Sequence, residues 1–360
     1  MKSIITIIKN TIAIILPIFI GFAFFTNVEY VTESIIKSLN FSIFSLFPSL
    51  FPYMIFSSII SHSPLINKVL SRIFKKVFSI LGICIKYINV IFWGNISGFV
   101  VGPKLISNEK SKINEESSIT KYILLSSNAG IGFLLSFVGQ TIFGNLLFGA
   151  VLYITQIIVS FFLNSFVFFK KDNLNYQEIE LKKTPIFNTI SNSISSSTNA
   201  FISICANTVV FATIARLIVK LFKISSNSLL LNFVYSLFDV SLGVKSAALI
   251  ENKIISLFFV GFSVGFGGIS IFFQIFSICD SIKINKFKFV ISKLCQGIIS
   301  GLISATCSLF FSFEPNKSAP ANLFIDKKIV KILIIYFVFF ILVKFIIKIC
   351  INSKNINKLC

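Results

Sequence analysis

The sequence predicts an all-α polytopic membrane protein, built as an inverted repeat that contains two re-entrant helical hairpins. Of its 360 residues, 55% are hydrophobic and the mean hydropathy is +0.90, more apolar than an average soluble domain. Two short polar breaks, GNISG (94–98) and FDVSLG (238–243), interrupt strongly apolar stretches. Lysines cluster between the apolar stretches, so the net charge of +20 indicates membrane topology and not nucleic acid binding.

A helix needs about 20 apolar residues to cross a bilayer, and this length predicts eight full spans. The predicted spans cover residues 4–25, 41–61, 122–143, 145–169, 198–219, 254–279, 289–312 and 329–351. The first is too long for a signal-peptide core and lacks a cleavage pattern, so we expect it to be retained. Two more apolar segments, 79–106 and 228–250, carry the polar breaks, and we interpret each as a hairpin that enters and leaves on one side.

The distribution of basic residues predicts the orientation of the chain. An inside N-terminus places most lysine-rich loops in the cytoplasm. If either hairpin were a full span, the lysine-rich loops that follow it would lie outside. Three lysines remain outside: Lys220, Lys223 and Lys253. Segment 65–78 resembles an interfacial amphipathic helix, the alternative being a cytoplasmic linker.

These elements divide the chain into two halves of opposite orientation. The first repeat spans residues 41–170 and the second 198–312, joined by a cytoplasmic linker at 171–197. An N-terminal span with its linker (1–40) precedes them, and a C-terminal span with its tail (313–360) follows.

The two polar breaks occupy corresponding positions in the two halves. A shift of 144 residues aligns Asn95 with Asp239 and Ser97 with Ser241. Interrupted segments at matching positions of two halves indicate the substrate site of a secondary transporter. Asp239 is the most informative residue, because an ionisable group inside an apolar segment is costly and by default functional. The alternative is that Asp239 caps a helix.

Lys104 and Lys245 follow the two breaks at equivalent positions, within about one helical turn of each other after alignment. Two cations converging with half-helix N-termini would suit a dianionic substrate. The alternative is that Lys104 belongs to a cytoplasmic loop and Lys245 extends to the outer surface.

Two more glycine-rich breaks, SSNAGIG (126–132) and GFSVGFGGIS (261–270), follow the hairpins. Their glycines could turn carbonyl groups toward a ligand, or could be ordinary small-residue helix packing. The candidate substrate-binding residues are Asn95, Ser97, Lys104, Asn128, Asp239, Ser241, Lys245, Ser270 and Gln274.

The sequence gives no support for an enzyme, a metal site or a cofactor. The seven cysteines contain no CxxC pair, which favours free thiols. Residues 261–265 match the G-x-S-x-G pattern, but the single histidine, His62, follows a different span and a strand context is missing. The predicted partners are a small anionic substrate and the lipid bilayer; a homo-oligomer remains open.

Four segments resemble the YlbJ-type sporulation integral membrane proteins, also called stage V sporulation protein VV, of the nucleoside-recognition (Gate) group. They are LFPSLFPYMIFSSII (46–60), SGFVVGPKLI (97–106), SSNAGIGFLLSFVG (126–139) and GFGGISIFFQ (265–274). The resemblance covers roughly residues 40–310. Pro103 stands where a small residue such as alanine is expected, and the second half matches fewer motifs.

This resemblance implies a multi-pass protein of the outer forespore membrane that moves dipicolinic acid from the mother cell toward the forespore. It also implies a fold similar to that of concentrative nucleoside transporters. The alternatives are a nucleoside carrier and a structural component of a spore-envelope complex that does not transport.

Overall fold

The computed structural model describes residues 17–84, 87–108, 116–169, 186–226 and 228–307. All regular structure in these ranges is helical, and we number the helices α1 to α14. The predicted span 329–351 and the start of the span 4–25 lie outside the described residues. The predicted all-α polytopic fold with two helical hairpins is confirmed.

The described residues of the first half form eight helices. These are α1 (Pro17–Thr26), α2 (Val28–Ser61), α3 (Pro64–Ile80), α4 (Ile88–Ser97), α5 (Val101–Asn108), α6 (Glu116–Ser126), α7 (Phe133–Ile142) and α8 (Leu146–Val167). A π-helical turn at Ser42–Leu46 lies inside α2, and α8 ends in another at Leu163–Val167.

The described part of the second half, up to residue 307, forms six helices. These are α9 (Ile186–Leu221), α10 (Leu229–Phe238), α11 (Val240–Ala247), α12 (Lys253–Phe266), α13 (Ile269–Ile278) and α14 (Lys286–Thr306). Asparagine, serine and aspartate side chains begin several of them by accepting hydrogen bonds from the first free amides. Asn145, Ser228, Asp239, Asn252 and Asn285 cap α8, α10, α11, α12 and α14 in this way.

Five segments of the described ranges are long and apolar enough to cross a membrane. They are Val28–Ser61, Leu146–Val167, Phe187–Leu221, Lys253–Ile278 and Lys286–Thr306. α2 begins well before the predicted span 41–61, and α9 begins inside the predicted linker 171–197. The predicted span 122–143 is interrupted, because α6 ends at Ser126 and α7 follows after the break at residues 127–130.

The order of elements is the same in the two halves. Helices α4 and α5 form hairpin 1, a broken helix follows as α6 and α7, and α8 ends the unit. Helices α10 and α11 form hairpin 2, the broken helix is α12 with α13, and α14 ends the unit. The second helix break lies at Gly267 and Gly268, whose φ angles of 87° and 89° favour glycine.

Hairpin 1 ends at one face of the bundle, which we call the first face. At its end, Ser107 donates a hydrogen bond to the carbonyl of Ile278 at the end of α13. The loop after α13 also lies at this face, since the Asn285 amide donates to Thr120 on α6.

Hairpin 2 ends at the opposite face. Lys245, near the end of α11, lies over the ring of Phe41, and this ring packs edge-on against Phe137 of α7. Helices α6 and α7 pack on α8 one after the other, since Ser160 of α8 is bonded to α6 and Gly149 of α8 packs on α7. Because α6 lies at the first face, α7 lies farther from that face. The two hairpins therefore enter from opposite faces, and the repeat is inverted.

Helices α12 and α14 pack at backbone distance. A Cβ atom added to Gly261 would lie 2.3 Å from the Ser304 hydroxyl, and one added to Gly301 would lie 2.8 Å from the Phe258 carbonyl oxygen. Small residues permit such close approach between membrane helices. Of the glycines in the GFSVGFGGIS segment, Gly261 and Gly265 therefore serve helix packing, whereas the next two form the break.

Candidate functional site

The tips of the two hairpins meet at a cavity of about 550 Å³, a volume that includes the open space at its mouth. The lining residues come from hairpin 1, hairpin 2, α2, α7, α9, α13 and the α6 break. They are Leu46, Leu50, Met54, Ser97, Gly98, Phe99, Val100, Val101, Gly130, Phe133, Ile204, Thr208, Asp239, Val240, Ser241 and Ile271.

Glycines bring the tip of hairpin 1 close to the α6 break. Gly98 ends α4 with a φ angle of 112°, a conformation that L side chains rarely adopt. A Cβ atom on Gly130 would lie 2.9 Å from the Ser97 carbonyl oxygen. Any larger side chain at Gly130 would push the break away from the tip.

Asp239 lies at the tip of hairpin 2 and caps α11. Its Oδ1 atom accepts hydrogen bonds of 3.0 Å from the amides of Ser241 and Leu242. Its Oδ2 atom accepts a hydrogen bond of 3.0 Å from the Ser270 hydroxyl on α13, and the Thr208 hydroxyl also donates to this carboxylate. Asp239 is 1% exposed. The carboxylate therefore lines the cavity, caps α11 as the alternative interpretation expects, and joins hairpin 2 to the second helix break.

Ser97 occupies the matching tip of hairpin 1. Its hydroxyl donates a hydrogen bond to the Ser57 hydroxyl on α2, and both side chains are buried. Ser97, Asp239 and Ser241 are the predicted site residues that line the cavity, with Ser270 bonded directly to one of them.

A buried polar cluster joins hairpin 1 to the α6 break. Asn95 donates hydrogen bonds to the Ile91 and Leu125 carbonyls, and its Oδ1 atom accepts one of 2.8 Å from Asn128. On α8, the Gln156 amide accepts from the Ala129 amide and donates to the Ala129 carbonyl. Asn95 and Asn128, two predicted site residues, thus contact each other behind the cavity wall.

Helix α14 of the second half completes this cluster with Lys293 and Gln296. Lys293 Nζ donates to the Ser127 carbonyl, to Asn128 Oδ1 at 3.2 Å and to Gln296 Oε1 at 3.0 Å. Gln296 donates to Asn128 Oδ1 at 2.8 Å. We call these five residues the break cluster: Asn95, Asn128, Gln156, Lys293 and Gln296.

Phe99 separates the break cluster from the cavity. It lines the cavity, and Lys293 Nζ lies 5.7 Å from the centre of its ring. The ring also fills the space above the second helix break, since a Cβ atom on Gly267 would lie 3.1 Å from it. Phe99 therefore contacts both halves of the repeat.

Besides Asn95, Asn128 and Ser270, three more predicted site residues do not line the cavity. Lys104 is half-buried and donates a hydrogen bond of 2.9 Å to Ser196 on α9. Lys245 is exposed and lies 5.0 Å from the centre of the Phe41 ring. Gln274 is 3% exposed, and neither its nitrogen nor its oxygen has a partner among the described residues.

Sequence reasoning missed Lys293, Gln296, Gln156 and Thr208. The rule that singled out Asp239, an ionisable group within an apolar span, applies equally to Lys293 in the predicted span 289–312. Gln156 and Gln296 are polar residues within predicted spans and gave the same kind of signal. Nothing in the sequence indicated that they meet, because their partners lie 27 to 168 residues away.

Comparison with known proteins shows the fold alone. No family model matches the chain, and no curated protein matches it, so the resemblance to sporulation proteins stays a prediction. A solved structure of CNTnw, a concentrative nucleoside transporter, in an inward-facing substrate-bound state is similar, with a TM-score of 0.52 and 12% identity. The similarity covers 89% of this chain and 88% of that one.

A CNTnw double variant in an outward-facing state is also similar, with a TM-score of 0.47, 12% identity and 84% of each chain covered. The helix order, the inverted hairpins and the first of these similarities agree with each other. The chain therefore has the polytopic membrane transporter fold of concentrative nucleoside transporters.

Proposed function

We propose that this protein is a secondary-type transporter of a small anionic metabolite, dipicolinic acid being the first candidate, and that the substrate binds in the cavity between the hairpin tips. The observation that carries the proposal is the meeting of both tips and both helix breaks around one cavity. Irregular backbone at membrane depth occurs where it is buried in protein or lines a watery path. Transporter sites of this kind lie between the halves of a repeat.

The cavity wall suits a compact molecule with an apolar ring. Its apolar lining residues include Leu46, Leu50, Met54, Phe133 and Ile271. Such a wall buries a planar ring, while a few polar groups fix its orientation. An aromatic dicarboxylate has one ring and two polar ends, which fits this division.

Two features favour negative charge in the cavity. Helix α5 begins at Val101 beside the cavity, and helix N-termini carry positive partial charge. Lys293 lies behind Phe99, with its Nζ atom 5.7 Å from the centre of that ring, and a positive charge there would attract an anion in the cavity. Asp239 opposes this effect, although the N-terminus of α11, whose amides it accepts, offsets part of its charge.

The direction of transport and the membrane belong to the same proposal. Movement from the mother cell toward the forespore, across the outer forespore membrane, is supported by the sequence resemblance of the four segments alone. These parts are tested separately by locating the protein in sporulating cells.

A nucleoside is the second candidate. The observation in its favour is the wall itself, which within the described residues offers a carboxylate and three hydroxyl groups but no lysine or arginine. Hydroxyl and carboxylate groups can bind the hydroxyls of a neutral sugar without a cation.

Uptake of labelled dipicolinate and labelled uridine into vesicles containing the purified protein distinguishes the candidates. Thr208→Val removes one hydroxyl from the wall and should weaken apparent affinity by roughly two- to ten-fold, the equivalent of one hydrogen bond. Thr213→Val is the matched control, because Thr213 is also buried on α9 but does not line the cavity. Lys104→Gln and Lys245→Gln should change affinity little.

Uptake of dipicolinate but not uridine supports the proposal. Uptake of uridine alone would replace it with the nucleoside candidate, and uptake of neither would favour a structural component. Equal effects of the Thr208 and Thr213 variants would remove the cavity from the transport path.

A further inference from the structure

Lys293 is a fully buried cation whose partners are neutral oxygen atoms. The side chain is 0% exposed, and its ammonium donates to one backbone carbonyl and two amide oxygens. A lysine ammonium has three N–H donors, so the three oxygens match it in number. The Phe99 ring lies nearby on the cavity side.

The charge of Lys293 has no carboxylate beside it. In the described ranges the one ion pair is Lys37 with Glu33, on the exposed surface of α2. Asp239, the carboxylate of the other hairpin tip, is bonded to hairpin 2, α9 and α13 instead. A buried charge of this kind is costly, and its presence inside a membrane segment indicates a function.

The chemistry of the three oxygens indicates what this function is. The Ser127 carbonyl is free to accept because α6 ends at Ser126, and Asn128 lies in the same break. Unwound carbonyls and neutral amide oxygens at a helix break are the groups with which transporters hold a monovalent cation. Here the chain supplies the positive charge itself, from α14.

We propose that the Lys293 ammonium is the resident cation of an oxygen site at the α6 break, and that it takes the place of a monovalent metal ion from solution. Transport then needs no sodium or potassium ion at this position. The inference rests on the proposed transport function and adds to it that no sodium or potassium ion is needed at this position.

The position of the site explains why a cation supplied by the chain itself matters. Asn128 Oδ1 accepts from Lys293 and Gln296, while Asn128 Nδ2 donates to Asn95 at the tip of hairpin 1. The ammonium therefore helps to fix hairpin 1 against the α6 break. A bound metal ion would do this only at sufficient concentration in solution, whereas the Lys293 side chain is held at the site by its own chain.

Three variants test this inference. Lys293→Ala leaves a space that a sodium ion with water or an ethylammonium ion can fill. Lys293→Met fills the space with an uncharged chain of similar length. Lys121→Ala is the matched control, because Lys121 is also 0% exposed but binds the Gly82 carbonyl away from the break.

The first measurement is uptake in sodium, potassium, choline and ethylammonium chloride. Wild type should transport equally in sodium, potassium and choline. Lys293→Ala should lose at least about ten-fold in choline, the equivalent of one charged hydrogen bond, and should recover in sodium or ethylammonium. Lys293→Met should stay low in every salt. A sodium or potassium requirement of wild type, a Lys293→Ala variant that no cation restores, or full activity of Lys293→Met would each overturn the inference.

The second measurement is thermal unfolding of the purified proteins in the same salts, which does not depend on knowing the substrate. Sodium or ethylammonium should raise the Tm of Lys293→Ala above its value in choline, while wild type, Lys293→Met and Lys121→Ala should show no such difference. If wild type moves neither substrate, the proposed function fails, but the Tm shift still tests the cation site. An equal Tm of Lys293→Ala in all salts would overturn the inference whether or not the protein transports.

Discussion

Replacement of Asp239 separates the helix cap from the negative charge. Asp239→Ala removes the cap of α11, worth about 0.5 to 2 kcal/mol, and a charge-assisted bond from Ser270, worth about 1.5 to 3 kcal/mol. We expect its free energy of unfolding to fall by roughly 2 to 5 kcal/mol. Asp239→Asn keeps an oxygen for the α11 amides and an NH₂ group that can donate to Ser270, so the loss should stay within about 1 kcal/mol.

The assay combines denaturant or thermal unfolding in detergent with uptake into vesicles. Asp239→Asn should fold nearly as well as wild type and yet transport differently, because the charge at the cavity wall is gone. If Asp239→Ala and Asp239→Asn unfold at the same denaturant concentration or temperature, the cap does not stabilise hairpin 2. If Asp239→Asn transports like wild type, the carboxylate charge has no part in substrate binding.

Three more predictions concern the tip of hairpin 1, the topology and the substrate. Gly98→Ala should lower the free energy of unfolding by about 1 to 3 kcal/mol, because the φ angle of Gly98 is 112°. Gly21→Ala is the control: Gly21 lies in open space on α1, so stability should stay unchanged or rise by up to about 1 kcal/mol. Equal free energies of unfolding for the two variants would refute the conformational argument. Single cysteines placed at Ser111 and Asn173 should be shielded from an impermeant outside reagent in intact cells, and labelling of both would reverse the orientation. Excess calcium should lower dipicolinate uptake by chelating its carboxylates, and unchanged uptake would argue against recognition of the free dianion.

Hydropathy and glycine-bearing breaks predicted most of the fold, since both follow from the rule that backbone groups in hydrocarbon must be satisfied. The start of α2 was not predicted by this rule. Residues 28–40 include Glu29, Glu33 and Lys37, which lower the apolar signal although the segment is helical. The helix continues there because it packs on α9, where Arg216 donates to the Ser34 carbonyl.

The candidate site was predicted in part. Ser97 and Asp239 could be found because polar residues within an apolar membrane segment are costly and therefore indicate a function. The break cluster could not be assembled from spacing, because Gln296 bonds to Asn128 across 168 positions and two halves of the chain. Lys104 and Lys245 follow the breaks in sequence, but Lys104 bonds to Ser196 on α9 and Lys245 lies over the Phe41 ring, so neither lines the cavity.

The backbone contact between α12 and α14 limits how this protein can change shape. Gly261 and Gly265 interlock with Ser304 and Ser300, so a slide by one residue, about 1.5 Å, would drive side chains into gaps that hold none. We therefore expect these two helices to move together as one rigid body. Alternating exposure of the cavity would then require the hairpins to rotate relative to α12 and α14, with α13 changing its angle to α12 at Gly267 and Gly268.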